Sequence, residues 1–159
     1  MATRIADRNI SDVEAEAFLS AFDAFAQAVR RARGTAAGPP RALTLSQYGL
    51  LELLRDHDSA RVRDLAEHAG VSAPTATRIL DTLERRGLVR RRQSSEDRRG
   101  VSVTLTDRGR RALGEQHAWL RSRQRNFYGE LQPEERELVP TLLTDLAGLI
   151  DELAAGPER

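Results

Sequence analysis

Large apolar side chains recur at helical spacing from Ser11 to about Arg31, where Phe18, Phe22, Phe25 and Val29 form one stripe. Ser11, with Glu14 three residues on, supplies a capping box at the start of this predicted helix. Gly34 to Pro40 interrupts the pattern as a linker. Thr44 and Gln47 open a second helix in the same way, with Leu50, Leu51, Leu53 and Leu54 on its inner face as far as about Asp56. A short third helix, Val62 to His68, stops at Gly70, and a fourth runs from Ser72 to about Arg86 before Gly87. Leu65, Ala66, Val71, Ile79, Leu80 and Leu83 are the core expected between these two. After Gly87 the period falls to two: Leu88-Val89-Arg90-Arg91, a polar run, then Val101, Val103 and Leu105 alternating with Ser102 and Thr104. That pattern predicts a two-stranded hairpin with a long charged tip. Thr106 caps a fifth helix of about 25 residues through Leu113, Leu120, Phe127 and Leu131. Pro133 opens a sixth, striped by Leu138, Leu142, Leu146, Leu149 and Leu153.

Composition narrows the chemistry. Among 159 residues there are 25 basic side chains, all arginine, and no cysteine. A Schiff-base lysine, a Walker lysine, a thiolate metal site, a cysteine nucleophile and a thiol redox sensor are therefore excluded. Apolar runs fall far short of the roughly 18 residues a membrane span needs, and Met1 to Ile10 lacks the apolar segment of a secretory signal, so a cytoplasmic location is expected. The net charge of +1 conceals a separation. From Arg55 to Arg111 there are 14 arginines against nine acids, an excess of +5, while the remainder holds 11 against 15, or −4. A basic centre between mildly acidic ends suits a polyanion on one face only.

The link Ala69-Gly70-Val71-Ser72 can only turn the chain sharply, so the third and fourth helices form a helix-turn-helix, and the basic hairpin after it makes a winged helix. From about Thr44 to Gly109 the chain resembles the MarR family of bacterial transcriptional regulators. The resemblance is carried by Leu45-Ser46-Gln47-Tyr48-Gly49-Leu50-Leu51, by Asp64-Leu65-Ala66 with Gly70 to Arg78, and by Leu83-Glu84-Arg85-Arg86-Gly87-Leu88-Val89. Its most specific part is the wing, Asp97-Arg98-Arg99 followed by Val103-Thr104-Leu105-Thr106-Asp107-Arg108-Gly109, matching the family's Asp-x-Arg and Leu-Thr-x-x-Gly. The expected fold is mainly α with a small β wing: a winged helix-turn-helix (residues 41–109) flanked by N-terminal (1–40) and C-terminal (110–159) dimerisation helices, in one intertwined domain overall.

The candidate recognition helix begins with small side chains, which permit close approach to a groove. Ser72, Pro74, Thr75, Thr77 and Arg78 are its candidate contacts: hydroxyls to base edges or phosphates, Pro74 and threonine methyls to thymine, Arg78 to guanine or phosphate. In the wing, Arg90, Arg91, Arg92 and Arg98 are expected on phosphate. The resemblance assigns minor-groove insertion to Arg99, with Asp97 holding that arginine or bracing the wing. Ser46, Gln47, Arg61 and Arg63 are further candidates for the DNA backbone. Arg61 stands where many relatives carry Ser or Thr, so the third helix forgoes a side-chain cap.

The outer stripes, Phe18, Phe22 and Phe25 with Leu142, Leu146, Leu149, Ile150 and Leu153, are read as a homodimer interface, as the resemblance also implies. A two-fold dimer calls for an inverted-repeat operator. Family members commonly release DNA on binding a small aromatic or phenolic effector, and Phe25, Tyr48, His117 and Trp119 are the candidate lining. His57, His68 and His117 are not spaced as a ligand set, and no metal or other cofactor is expected. No cofactor loop or nucleophile motif supports an enzyme. The reading is a ligand-responsive repressor that binds double-stranded DNA; the alternative is a dimer that sequesters small molecules and has lost specific DNA binding.

Overall fold

Each helix of the structure, a computed structural model, begins and ends where local chemistry dictates; the residues described are 11–36, 42–93 and 101–156. Helix α1 (Asp12–Ala32) starts at the Ser11–Glu14 capping box. Hydrogen bonds from the Ser11 hydroxyl and then its backbone N–H hold the Glu14 carboxyl below the usual carboxylate range. Helix α2 (Leu45–Glu52) starts at the Thr44–Gln47 box and tightens into a 3-10 turn at Leu53–Arg55. Helices α3 (Val62–His68) and α4 (Ala73–Arg85) follow. The last two helices are α5 (Asp107–Glu130) and α6 (Pro133–Ala155).

The turn between α3 and α4 is set by Gly70. With φ at 60° it adopts the left-handed conformation, so that its N–H reaches the Glu67 carbonyl and the Val71 N–H reaches Ala66. Gly87, with φ at 69°, closes α4 by the same pattern, onto the carbonyls of Glu84 and Leu83. Ser72 caps α4 by accepting the Thr75 N–H.

The expected two-stranded hairpin is part of a three-stranded antiparallel sheet ordered β1-β3-β2. Strands β2 (Val89–Gln93) and β3 (Val101–Leu105) pair as expected, with Val89 opposite Leu105. The added strand β1 (Ala60–Arg61) sets Ala60 opposite Val103 and Arg61 opposite Ser102. Two residues are too short to register as alternation, and Arg61 also serves as the N-cap residue of α3, without a side-chain cap bond, as anticipated.

Leu50, Leu51, Leu65, Leu80, Leu83 and Val103 are buried at the centre of one core, with Leu88, Val89, Leu105 and Leu113 around them. Leu53, Val71 and Ile79 pack against it only partly buried. Each fully buried leucine contributes about 1.5–3 kcal/mol of transfer free energy. The chain divides into two compact units, residues 1–116 and 117–159. No helix among the described residues is long and apolar enough to cross a membrane.

Candidate nucleic-acid interface

Helix α4 is two-faced. Ala76, Leu80 and Leu83 are buried at spacings of four and three, which turns Ser72, Pro74, Thr77 and Arg78 outward. The Ser72 and Thr75 hydroxyls lie 2.9 Å apart, and Arg78 donates toward Thr75 Oγ1 at 3.5 Å, so the helix start is a preorganised polar cluster. Thr75 is half-buried in it. Ser72→Ala is expected to cost about 1 kcal/mol, a fall of roughly 2–4 °C in thermal melting; an unchanged melting temperature would remove Ser72 from the capping role.

The sheet sorts the arginines by strand alternation. Arg90 pairs with Thr104 and Arg92 with Ser102, and Arg61 flanks Ser102 from the other side, so Arg61, Arg90 and Arg92 share the exposed outer face. Arg91 lies opposite Val103 on the inner face and is half-buried against α4. Its guanidinium sits 2.7 Å from the Asp81 carboxylate and donates to the Thr77 carbonyl at 3.0 Å. The expectation that Arg91 reaches outward to phosphate is therefore corrected. The period of two beginning at buried Val89 was the available signal for this.

Ser46 and Gln47 are also engaged within the fold. Ser46 donates its hydroxyl to the Arg33 carbonyl at 3.0 Å. Gln47 Oε1 accepts the Thr44 N–H and also the Arg86 guanidinium at 3.0 Å, tying the start of α2 to the end of α4. Arg86, which the sequence pattern does not single out, is thus a positioning group. Arg63 is exposed on α3. Asp97, Arg98 and Arg99 lie outside the described residues.

The base of the wing is anchored by Thr106, which donates to the Gly87 carbonyl at 2.7 Å and accepts the Gly109 N–H at 3.0 Å. Nearby, hydrogen bonding and then the charge of Arg110 hold the Asp107 carboxyl below its ordinary range.

Among the candidate interface residues, Phe18, Phe25, Leu142, Leu149, Ile150 and Leu153 are exposed, while Phe22 and Leu146 are half-buried. Of the candidate effector residues, Phe25 is exposed, and half-buried Tyr48 donates its hydroxyl to Glu52 at 3.0 Å. Both belong to the first unit. His117 and Trp119 belong to the second, are half-buried, and Trp119 carries Arg123 at 5.9 Å from its ring centre.

A capped, small-faced helix behind a sharp glycine turn, followed by an arginine-bearing three-stranded sheet, defines a winged helix-turn-helix protein. Residues 43–101 match the sequence profile of the MarR family. This lobe is similar to those of MarR-family transcriptional regulators. It is 34% identical over 97 residues to the uncharacterised HTH-type transcriptional regulator YfiV of Bacillus subtilis, spanning 61% of each chain. It is 36% identical over 67 residues to the organic hydroperoxide resistance transcriptional regulator of the same organism, spanning 42% of this chain and 46% of that one. In neither case does the match reach two thirds of the relative's length. Among solved structures, it superimposes on Bordetella bronchiseptica BpsR with TM-score 0.63 at 25% identity, covering 80% of this chain and 98% of that one. A mutant MarR from E. coli in complex with operator DNA matches with TM-score 0.57 at 26% identity, covering 65% and 75% respectively. The family and these relatives are transcriptional regulators, not enzymes.

Proposed function

We propose that the protein is a homodimeric, sequence-specific DNA-binding transcriptional regulator, a repressor that occludes promoters and is released by a small effector. The observation that carries this reading is the outward face of α4, Ser72, Pro74, Thr77 and Arg78, set beside a sheet whose exposed face holds Arg61, Arg90 and Arg92. Residues 41–109 serve as the reading lobe, and residues 1–40 and 110–159 join two copies. A solved relative bound to operator DNA supports the same use of the fold. The regulation of BpsR DNA binding by 6-hydroxynicotinic acid supports an effector of small aromatic acid type, for which Phe25 and Tyr48 of the first unit are the proposed contacts. A thiol sensor is not available to this chain, which has no cysteine.

Binding to DNA from upstream of its own gene, titrated with salt and with competitor DNA, tests the proposal. Specific binding must survive competitor, and the logarithm of affinity must fall linearly with that of salt. A complex that competitor removes completely would favour the sequestering dimer. Within this reading Arg99 enters the minor groove and Asp97 supports it. Arg99→Ala is expected to cost about 1–3 kcal/mol of binding free energy in a gel-shift series. Arg99→Lys restores little of it, because a rounded, strongly hydrated ammonium replaces a planar guanidinium. Wild-type binding by Arg99→Ala would withdraw the assignment.

A further inference from the structure

Three arginines run consecutively along β2; Arg90 and Arg92 are exposed on its outer face, while the middle one is turned onto α4. Arg91 Nη2 meets Asp81 Oδ1 at 2.7 Å and the Thr77 carbonyl at 3.0 Å. Its Nε lies 3.9 Å from Glu84 Oε2, and its backbone N–H donates to Glu84 Oε1 at 3.1 Å. Thr77, Asp81 and Glu84 are separated by four and then three residues, so they form one stripe along α4. A single guanidinium and its own peptide N–H thereby fasten the strand to about two turns of the helix. One of the three acceptors belongs to Thr77, whose side chain is exposed on the proposed reading face.

The electrostatics raise a question that this arrangement answers. Two carboxylates on a helix that approaches a polyanion repel it unless something compensates them. Asp81 and Glu84 are 46% and 43% exposed at the side chain, while Arg91 between them is 23% exposed. The cation is the better shielded member of the cluster, directed at α4.

We infer that Arg91 is a positioning residue, with Asp81 and Glu84 as its acceptors, that fixes the wing to the recognition helix so that the two DNA-reading elements act as one piece. The inference rests on the DNA-reading role proposed above. Arg91→Lys is not conservative here, since both short contacts are made by one terminal nitrogen of a rigid planar group whose Nε lies beside Glu84, and a flexible ammonium stem fixes neither position.

The test uses the full chain and a duplex that the wild-type protein selects from a randomised pool, with concentrations corrected for active fraction. Asp81→Asn removes a negative charge facing DNA, so if Arg91 were a phosphate contact this change would leave binding unchanged or strengthen it. The brace predicts the opposite sign: preference for the selected duplex over random duplex falls about tenfold, or 1.4 kcal/mol. Discrimination at the flanking base pairs under the wing is lost, while that beneath α4, still held by Ala76, Leu80 and Leu83, remains. Arg91→Ala and Arg91→Lys give the same pattern, and the double variant Asp81→Asn with Arg91→Ala is no worse than Arg91→Ala alone. Loss of a phosphate contact would instead weaken all sequences uniformly and lower the salt slope by about one. That result, or Asp81→Asn binding as well as wild type, overturns the inference. A general loss of folding would lower the active fraction without changing the pattern across base pairs, and overturns it too. If the wild-type chain selects no duplex, the DNA-reading proposal fails separately. The brace is then decided in the free protein, by whether a slowly exchanging Arg91 Nη–H resonance is present in the wild type and lost in Asp81→Asn.

Discussion

Gly109→Ala is expected to lower the stability of the winged-helix lobe by about 3 kcal/mol, a fall of roughly 6–12 °C in melting temperature. A Cβ at this position, in the first turn of α5, would collide with the Leu88 carbonyl oxygen, lie 2.9 Å from its carbonyl carbon and crowd Leu105 Cδ2 at 3.3 Å. The obstacle is backbone and cannot rotate aside. Relief requires α5 to move away from β2, which strains the Thr106 bonds to the Gly87 and Leu88 carbonyls and its acceptance of the Gly109 N–H. Gly114 in the same helix provides the control, since a Cβ added there would meet nothing within 4 Å. Gly114→Ala should therefore stabilise, by about 0.5–1 kcal/mol, through helix propensity alone. Equal melting temperatures for the two variants would refute the close-approach explanation. The pair also gives the Leu-Thr-x-x-Gly signature a physical cause: threonine stitches the wing base to the end of α4, and glycine allows α5 to pass over it.

Leu142→Glu is expected to convert the proposed homodimer to a monomer and to weaken binding to a two-half-site duplex by about 10²–10⁴-fold, the loss expected when two linked contacts become one. Helices α1 and α6 contain no buried residue, and Leu142 is 52% exposed, with Leu138, Leu149, Ile150 and Leu153 also exposed along the same helix. Phe18, Leu19, Phe25 and Val29 leave a comparable surface on α1. Apolar faces of this extent are characteristic of interfaces. Placing a carboxylate in the middle of one buries an unpaired charge in each copy. Sedimentation at micromolar concentration checks the first effect and duplex titration the second; a variant that remains dimeric would show that α6 is not the joining surface.

Most of the fold was legible because its boundaries are chemical. The Ser11, Thr44 and Ser72 caps, the Gly70 and Gly87 stops and the Pro133 start are local events, and each lies where the residues placed it. Strand β1 was not legible, since two residues carry no period and its partner β3 lies some forty residues away along the chain. In the site, the outward face of α4 followed from its buried stripe. The fates of Ser46, Gln47 and Arg91 did not, because charge and polarity mark a residue as polar without saying which partner it meets. Arg33, Arg86 and Asp81 meet them by tertiary packing, at sequence separations of 13, 39 and 10 residues respectively. For Arg91 alone, alternation from Val89 held the information, and counting the arginine run as one basic patch obscured it.

Selection of duplexes from a randomised pool by the full chain, followed by sequencing of what is retained in the presence of competitor DNA, measures how the proposed homodimer reads DNA. A homodimer that reads DNA through α4 and the wing must enrich an inverted repeat whose half-site centres lie roughly 10 bp apart, one turn of the double helix. Enrichment of no sequence, or of a single unrepeated half-site, would contradict it.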